Sequence, residues 1–384
     1  MFKSHPRAVG VLGMATIAVA VCLPGPVAAA APAPSIAPAP SIAPAPAIAP
    51  APAIAPARAN VPAAASDSGL FGSSDPTYDG VYRQSWAILG LRSVGQSVPT
   101  KAVRWLTTQQ CANGGFQSYR TDTSAACPAS DPAAFSGPDS NSTALAAMAL
   151  RSVGKKSQAS DAVAYLKTLQ NSDGGFAYYK GADSDANSTG LALAALRGAS
   201  PSSATSKRMS KATSWLKSIQ LRCAARKDQG MVPYQAGGSV NYLASAQAAI
   251  GLTTTLPAKA KKTAADSLVC RNGAQVGSVS TQDALLWASR NALKTGGGAV
   301  PDQFGGGNDL SSTAQLAIAL GSAKQYGSTV KSSVKVLKRS AATYTDGSPA
   351  ALGTLLVVAD VTPDSSATSF GGVNLVKALK ATLQ

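Results

Sequence analysis

Residues 162–197 read A-V-A-Y-L-K-T-L-Q-N-S-D-G-G-F-A-Y-Y-K-G-A-D-S-D-A-N-S-T-G-L-A-L-A-A-L-R, and this stretch decides the fold. Ala162–Gln170 has helical periodicity, with Val163, Leu166 and Leu169 on one face and Lys167 on the other. Ser172-Asp173-Gly174-Gly175-Phe176 is a turn, because paired glycines admit positive φ and stop a helix. Ser188–Leu196 is again helical but apolar on nearly every side, the pattern of a helix buried all round.

The same unit recurs along the chain. Upstream, Ala102–Gln110 leads into Asn113-Gly114-Gly115-Phe116, and Asp139-Ser140-Asn141-Ser142-Thr143 opens the apolar stretch Ala144–Arg151. Downstream, Ala212–Gln220 leads to Gly230-Met231-Val232-Pro233-Tyr234, and an apolar helix follows at Leu243–Leu252. A weaker copy runs from Gly298-Ala299-Val300-Pro301 into Ser311–Leu320. Trp105, Tyr165 and Trp215 hold one register. A helix pair that cannot bury its own apolar face must stack on its neighbours, so a repeat of this kind implies a closed or stacked array.

From Tyr78 onward, apolar helical patterns lie near 82–94, 141–153, 187–198, 241–253, 281–293, 309–321 and 348–360. Amphipathic ones lie near 100–110, 159–170, 207–220, 257–270, 324–340 and 371–383. Strand signals are scarce. The alternation predicts an all-α fold, an inner ring of buried helices and an outer ring of half-buried ones, with the Gly-Gly turns collected on one rim. The pattern at 281–293 is left without a partner in this scheme.

The N-terminus is of another kind. Lys3 and Arg7 precede the apolar run Ala8–Leu23, and Ala28-Ala29-Ala30 offers small residues for cleavage, so residues 1–30 read as a signal peptide. Cys22 suggests lipidation as an alternative, but Val21 stands where a small residue is expected. Residues 31–66 read as a disordered or polyproline II stalk, in which Ala31–Ala57 repeats A-P-A-P-[S/A]-I with Ile36, Ile42, Ile48 and Ile54 in phase. At about 3.1 Å per residue its repeat reaches roughly 80 Å. Residues 67–384 are the helical domain. Export predicts an extracellular or cell-envelope location. It also makes the four remaining cysteines disulfide candidates, paired Cys111–Cys127 around one loop and Cys223–Cys270 behind two outer helices.

Composition excludes several chemistries. All 18 acidic residues are Asp, and the only His is His5, inside the expected signal peptide. A mature chain without His has no His-based triad, His general base or His-ligated metal, and no metal site is expected. The net charge of +16 has no nucleic-acid motif behind it. Lys259, Lys261, Lys262, Lys331, Lys335 and Lys338 fall on helical patterns without interleaved aromatics, the pattern of a solvated face near an anionic cell surface.

The turn Gln170–Phe176 followed by Ser188-Thr189 and the apolar helix resembles the repeat of the terpenoid cyclase and protein prenyltransferase α/α toroids, the squalene-cyclase type. That toroid also serves cobalamin carriers. The resemblance covers roughly 69–384 and implies an α/α toroid of about six helical hairpins. Class II cyclases of this family protonate an alkene with an Asp-x-Asp-Asp-Thr motif. The matching residues here are Asp185-Ala186-Asn187-Ser188-Thr189, with Asn187 at the acid position and Ser188 after it. Asp139-Ser140-Asn141-Ser142-Thr143 carries the same changes. An amide cannot supply such a proton, so no catalytic residue is assigned, with Asp183 and Asp185 as alternative acids in a shifted register. Helix capping accounts equally for both triplets. Two rim carboxylates acting as a glycosidase pair stay open.

The reading is therefore an exported, non-enzymatic ligand-binding toroid with no cofactor of its own and a corrinoid as the favoured bound ligand. Its partners would be a small molecule and a membrane transporter or other envelope component, not nucleic acid. A cyclase-like enzyme and a polysaccharide-binding or structural toroid are the alternatives. The expected ligand-binding rim comprises Tyr119, Tyr178, Tyr179, Tyr234, Gln235 and Gln303, with Phe71, Asn241 and Phe304 beside them, whereas Phe116, Phe176 and Met231 are expected to plug their turns against the next repeat.

Overall fold

The computed structural model describes residues 68–303, 305–363 and 365–384. The expected signal peptide, lipidation site and stalk, and Phe304 among the rim candidates, lie outside the described residues.

Six helices form a closed inner ring: α1 (Gly80–Ser93), α3 (Ser140–Ser152), α5 (Ala186–Gly198), α7 (Tyr242–Thr253), α9 (Leu310–Ser322) and α12 (Pro349–Val361). Each packs on the next, and α12 packs back on α1. Outside them lie α2 (Thr100–Thr108), α4 (Lys156–Thr168), α6 (Ser203–Ile219), α8 (Thr281–Thr295), α10 (Ser328–Arg339) and α13 (Leu375–Ala381). The five-residue α11 (Ala341–Thr345) precedes α12. Among the described residues there are also three two-residue antiparallel ladders: Phe176–Ala177 with Ser184–Asp185, Cys270–Arg271 with Ala274–Gln275, and Val300–Pro301 with Asn308–Asp309. The molecule is an α/α toroid.

The ring closes through its chain ends. The Gly69 and Gly72 amides donate to the Gln384 and Thr382 carbonyls, and the Gln384 amide donates to Leu70. Outer helices bury one stripe, as in α10, where Val330, Val334 and Leu337 face inward and Lys331 and Lys335 face water. Each such apolar side chain contributes about 1.5–3 kcal/mol through burial. Inner helices bury nearly everything, and every residue from Ala186 to Leu196 of α5 is covered. Small residues allow this close packing. A Cβ on Gly251 would stand 2.1 Å from the Gly190 carbonyl oxygen, and one on Gly353 would stand 2.2 Å from that of Trp86. The pairs α5–α7 and α12–α1 are thus drawn together at two opposed points of the ring, and side chains fill its interior.

The repeat motif has a consistent hydrogen-bonding logic. The residue after each turn donates its amide to a side chain of an inner helix: Phe71 to Gln84, Phe116 to Thr143, Phe176 to Thr189, Val232 to Ser245 and Val300 to Thr313. The recurring Gln ties each turn to the next outer helix. Gln110 donates to the Gly114 and Gln158 carbonyls, Gln170 to Gly174 and Arg208, and Gln220 to Gly230 and Thr281. Gly174 turns at φ +97°, and a Cβ there would lie 2.8 Å from the Lys211 carbonyl oxygen of α6.

Four helix expectations need correction. Residues 257–270 form no helix. Their backbone runs past the end of α9, where the Lys261 and Thr263 amides donate to Ser322 and Ala323. Inter-element hydrogen bonds replace the helical ladder that Ala and Lys propensity favours. In consequence α8, expected as an unpaired inner-type helix, is the outer partner in that repeat. It buries Ala284, Leu285, Ala288, Ser289 and Leu293 and packs on α7, α9 and α10. The expected helix at 324–340 is shorter, with α11 separate from it, and α13 spans only 375–381.

Both disulfides are present, Cys111–Cys127 and Cys223–Cys270. Cys270 follows no helix; it sits in the small 270–275 hairpin and joins it to the 3-10 turn Cys223–Asp228. Within the Cys111–Cys127 loop, the Arg120 guanidinium donates to the carbonyls of Thr108, Gln110, Thr123 and Ala125.

Candidate functional site

The inner helices begin at the Gly-Gly rim, and a side-chain oxygen caps most of them. Asp139 accepts from the Ser142 amide at 2.7 Å, Asp185 from Ser188 at 2.8 Å, Asn241 from Ala244 at 2.8 Å, Asp309 from Ser312 at 2.8 Å and Ser348 from Ala351 at 3.3 Å. Each cap satisfies an orphan amide and contributes about 1 kcal/mol. Asp139 and Asp185 are each 1% exposed.

Two residues past each of these five caps is one helical position at the rim end of the ring. These positions hold Asn141, Asn187, Leu243, Ser311 and Ala350. All are half-buried except Asn187, which is covered and donates to Gln247 Oε1 at 3.1 Å, linking α5 to α7. Asn187 stands where the resemblance implies a proton-donating acid. The mouth thus offers amides, a hydroxyl and apolar groups at these positions, and no carboxyl.

Around this floor stand two tyrosine clusters. Tyr178 and Tyr179 meet edge to face at 4.6 Å between centroids. Tyr178 is half-buried beside Asp139, and Tyr234 is half-buried beside Asp185. Burial pushes the Asp139 carboxyl up to about 7, opposed by hydrogen bonds from Ser142 and Tyr178. Burial likewise pushes Asp185 up to about 6, opposed by Ser188 and Tyr234. The phenols of Tyr178 and Tyr234 are raised by burial and by these neighbouring carboxylates. Burial, with Asp139 nearby, raises Tyr179 to about 12. The second cluster, not anticipated from sequence, is Tyr82 of α1 and Tyr344 of α11. Tyr82 lies edge-on to Trp86 at 6.4 Å and against Gln315 of α9, and Tyr344 lies against Ser311. No motif marks these residues, because ring closure alone brings them together.

The other expected rim residues are dispersed. Tyr119 is half-buried and stacks on Trp105 at 6.4 Å with planes 8° apart. Gln235 and the exposed Asp183 line an open depression of about 530 Å³ with Asp173, Ser184 and Trp215, to the side of the mouth. Gln303 is exposed, donates to the Val240 carbonyl and accepts from the Tyr242 amide. Tyr179 is 9% exposed, so most of its surface is covered by its neighbours. Phe71 is fully buried behind its turn and offers no rim surface, Asn241 is a cap, and Phe116, Phe176 and Met231 are buried as expected of residues that plug their turns. Among the described residues no three His, Cys or Asp side chains cluster as metal ligands, and no helix is long and apolar enough to cross a membrane.

Residues 65–230 match the model of the prenyltransferase alpha-alpha toroid domain, the repeat family that the Gly-Gly turns resemble. No curated protein matches the sequence. Among solved structures, the chain is similar to the type II terpene cyclase MstE from Scytonema in its apo form, with 16% identity and a TM-score of 0.44 over 75% of this chain and 74% of that one. It is also similar to a wild-type glycosidase, with 13% identity and a TM-score of 0.48 over 77% of this chain and 91% of that one.

Proposed function

We propose that this toroid is an exported binding protein that takes its ligand at the Gly-Gly rim, between the Tyr178–Tyr234 and Tyr82–Tyr344 clusters. The observation that carries the reading is the composition of the mouth. The positions two past the caps are Asn141, Asn187, Leu243, Ser311 and Ala350, and the ring beneath them is filled by side chains. Such a surface supplies aromatic faces and hydrogen-bonding amides without a positioned acid. The two disulfides support export, since such bonds persist in oxidising compartments.

A corrinoid suits this surface best: it is broad, partly apolar, and edged with amides that pair with Asn and Tyr. The test uses the disulfide-intact chain titrated with cobalamin, cobinamide and a panel of anionic glycans, followed by absorbance and heat. Saturable corrinoid binding supports a capture protein. A flat response to both corrinoids removes that ligand, and a response to glycans alone transfers the rim to polysaccharide binding.

One observation favours a second reading. Burial lifts the Asp139 and Asp185 carboxyls above the ordinary carboxylate range, toward neutral pH, the direction a general acid needs. A cyclase-like activity would then run through Asp185. Terpenoid product formed by the native chain and lost in Asp185→Asn, with the fold intact, would select it over simple binding.

A further inference from the structure

The inner helices start at the Gly-Gly rim, so their C-terminal ends gather on the opposite face of the ring. Four neighbouring ends are joined there through arginine. Arg92 of α1 donates to the Ser152 carbonyl of α3 at 3.1 Å, Arg151 of α3 to Ala195 of α5 at 3.3 Å, and Arg197 of α5 to Gly251 and Leu252 of α7 at 3.2 and 2.8 Å. Each guanidinium meets carbonyls that a helix end leaves without amide partners. Helix capping therefore accounts for the arginines. It does not account for the lysines beside them.

The connections that follow carry Lys155 and Lys156 at the end of α3, and Lys259, Lys261 and Lys262 beyond α7. All five are exposed, and none is in an ion pair among the described residues. The Lys259 amide donates to Thr254 Oγ1 and the Lys261 amide to the Ser322 carbonyl at the end of α9, so the second group is held against this face. Arg197, also exposed, stands between the two groups at the end of α5. Residues 92–100, 151–160, 197–206 and 253–265 contain no Asp, and the chain has no Glu. The rim is different, for its loops mix both signs, as where Asp228 follows Arg226 and Lys227. Asp266, and Asp360 and Asp364 at and after the end of α12, fall outside these connections, and the surface is drawn to exclude them.

We propose that this far face docks a linear polymer bearing phosphates along its length, laid across the ends of α3, α5, α7 and α9 from Lys155 and Lys156, past Arg197, to Lys259, Lys261 and Lys262. Packed helices stand about 8–10 Å apart, so the track covers roughly 25 Å, too long for one small anion and suited to a chain of them. Lysine heads on flexible stems meet phosphates as point charges without demanding one geometry. Displacing the counterions of such a polymer drives the association. A membrane fits less well. The exposed large apolar side chains among the described residues are Tyr78, Phe135, Val269 and Val276, and none lies in these connections to anchor in lipid. The rim and the far face are opposite ends of the same helices, so a docked polymer leaves the rim open, and the proposal is independent of the corrinoid titration.

The test is titration of the disulfide-intact chain with long-chain inorganic polyphosphate at low and at near-physiological salt, beside orthophosphate and phosphatidylglycerol vesicles at equal phosphate concentration. Polyphosphate is expected to bind at least about tenfold more tightly than either, and to weaken steeply with salt. The combined variant Lys155→Gln, Lys156→Gln, Lys259→Gln, Lys261→Gln and Lys262→Gln should lower that affinity by at least about tenfold and flatten its salt dependence. A charge-matched control removes five exposed lysines elsewhere, Lys180→Gln, Lys217→Gln, Lys294→Gln, Lys331→Gln and Lys335→Gln, and should lose less than about threefold. Equal losses in the two variants would overturn the proposal, because net charge alone would then explain binding. Orthophosphate binding as tightly as the polymer would overturn it in favour of a discrete anion site, and vesicles binding as tightly would overturn it in favour of a lipid surface.

Discussion

Replacing Asp139 by Asn should make the protein more stable at neutral and alkaline pH while leaving it nearly unchanged in acid. The carboxyl is 1% exposed, and burial raises it from 3.8 to about 7. Folding must then exclude water from a group that would rather be charged. The folded state binds the proton more tightly than the unfolded state, so stability falls as pH rises from about 4 to about 7 and is level beyond. A shift of about three units corresponds to at most about 4 kcal/mol. Asn keeps the cap, since its side-chain oxygen still accepts from the Ser142 amide, but it carries no charge to desolvate. Denaturant melts at about pH 4 and about pH 8 should therefore show wild type and variant within about 1 kcal/mol in acid, and the variant ahead by up to about 4 kcal/mol in base. Comparing the two proteins at each pH cancels the charge repulsion that acid adds to this basic chain. A variant that is less stable than wild type by the same amount at both pH values would refute the reasoning, because Asp139 would then act as an ordinary ionised cap.

Asp185→Asn should follow the same course with a smaller amplitude, at most about 3 kcal/mol, since its carboxyl rises only to about 6; an equal or larger amplitude in the same melts would contradict the ranking. Gly251→Ala places a Cβ 2.1 Å from the Gly190 carbonyl oxygen and should force α5 and α7 apart, at a cost of about 3 kcal/mol or more seen as a lowered Tm. Replacing Cys223 and Cys270 by Ser releases a closure of 47 residues and should lower stability by about 4 kcal/mol, against about 3 for the 16-residue closure at Cys111 and Cys127; denaturant midpoints of the two double variants give the order. Gln170→Ala removes both donors that join the Gly174 turn to α6 and should cost about 1–3 kcal/mol, with faster amide exchange at the start of α6 as its local signature.

The fold was legible in the sequence wherever burial was uniform. Residues 188–196 and 144–151 have no polar face, and only an inner position accommodates such helices. The turns were legible because Gly174 and its counterparts stand where a side chain would strike the next outer helix. The reading failed at 257–270, where Ala and Lys suggested a helix, yet the backbone amides of Lys261 and Thr263 are taken by α9. That error displaced α8, whose run Ala284–Ala288 looks apolar all round but whose Gln282, Trp287 and Arg290 are only half-buried. The role of the repeated Gln was open to inference, since Gln110 and Gln170 each stand four residues before a turn glycine. Tyr82, Gln315 and Tyr344 could not have been grouped from sequence, because closure of the ring alone joins α1 to α9 and α11.

The central claim is that ligand is taken at the tyrosine rim above a filled ring. It is tested most directly by titrating the disulfide-intact chain with cobinamide beside its Tyr178→Ala and Tyr234→Ala variants, following the corrin absorbance. The account predicts saturation at one ligand per chain in the native protein, with affinity lowered by at least about tenfold in each variant. A native protein that leaves the corrin spectrum unchanged, or binding that survives both substitutions at full strength, would contradict it.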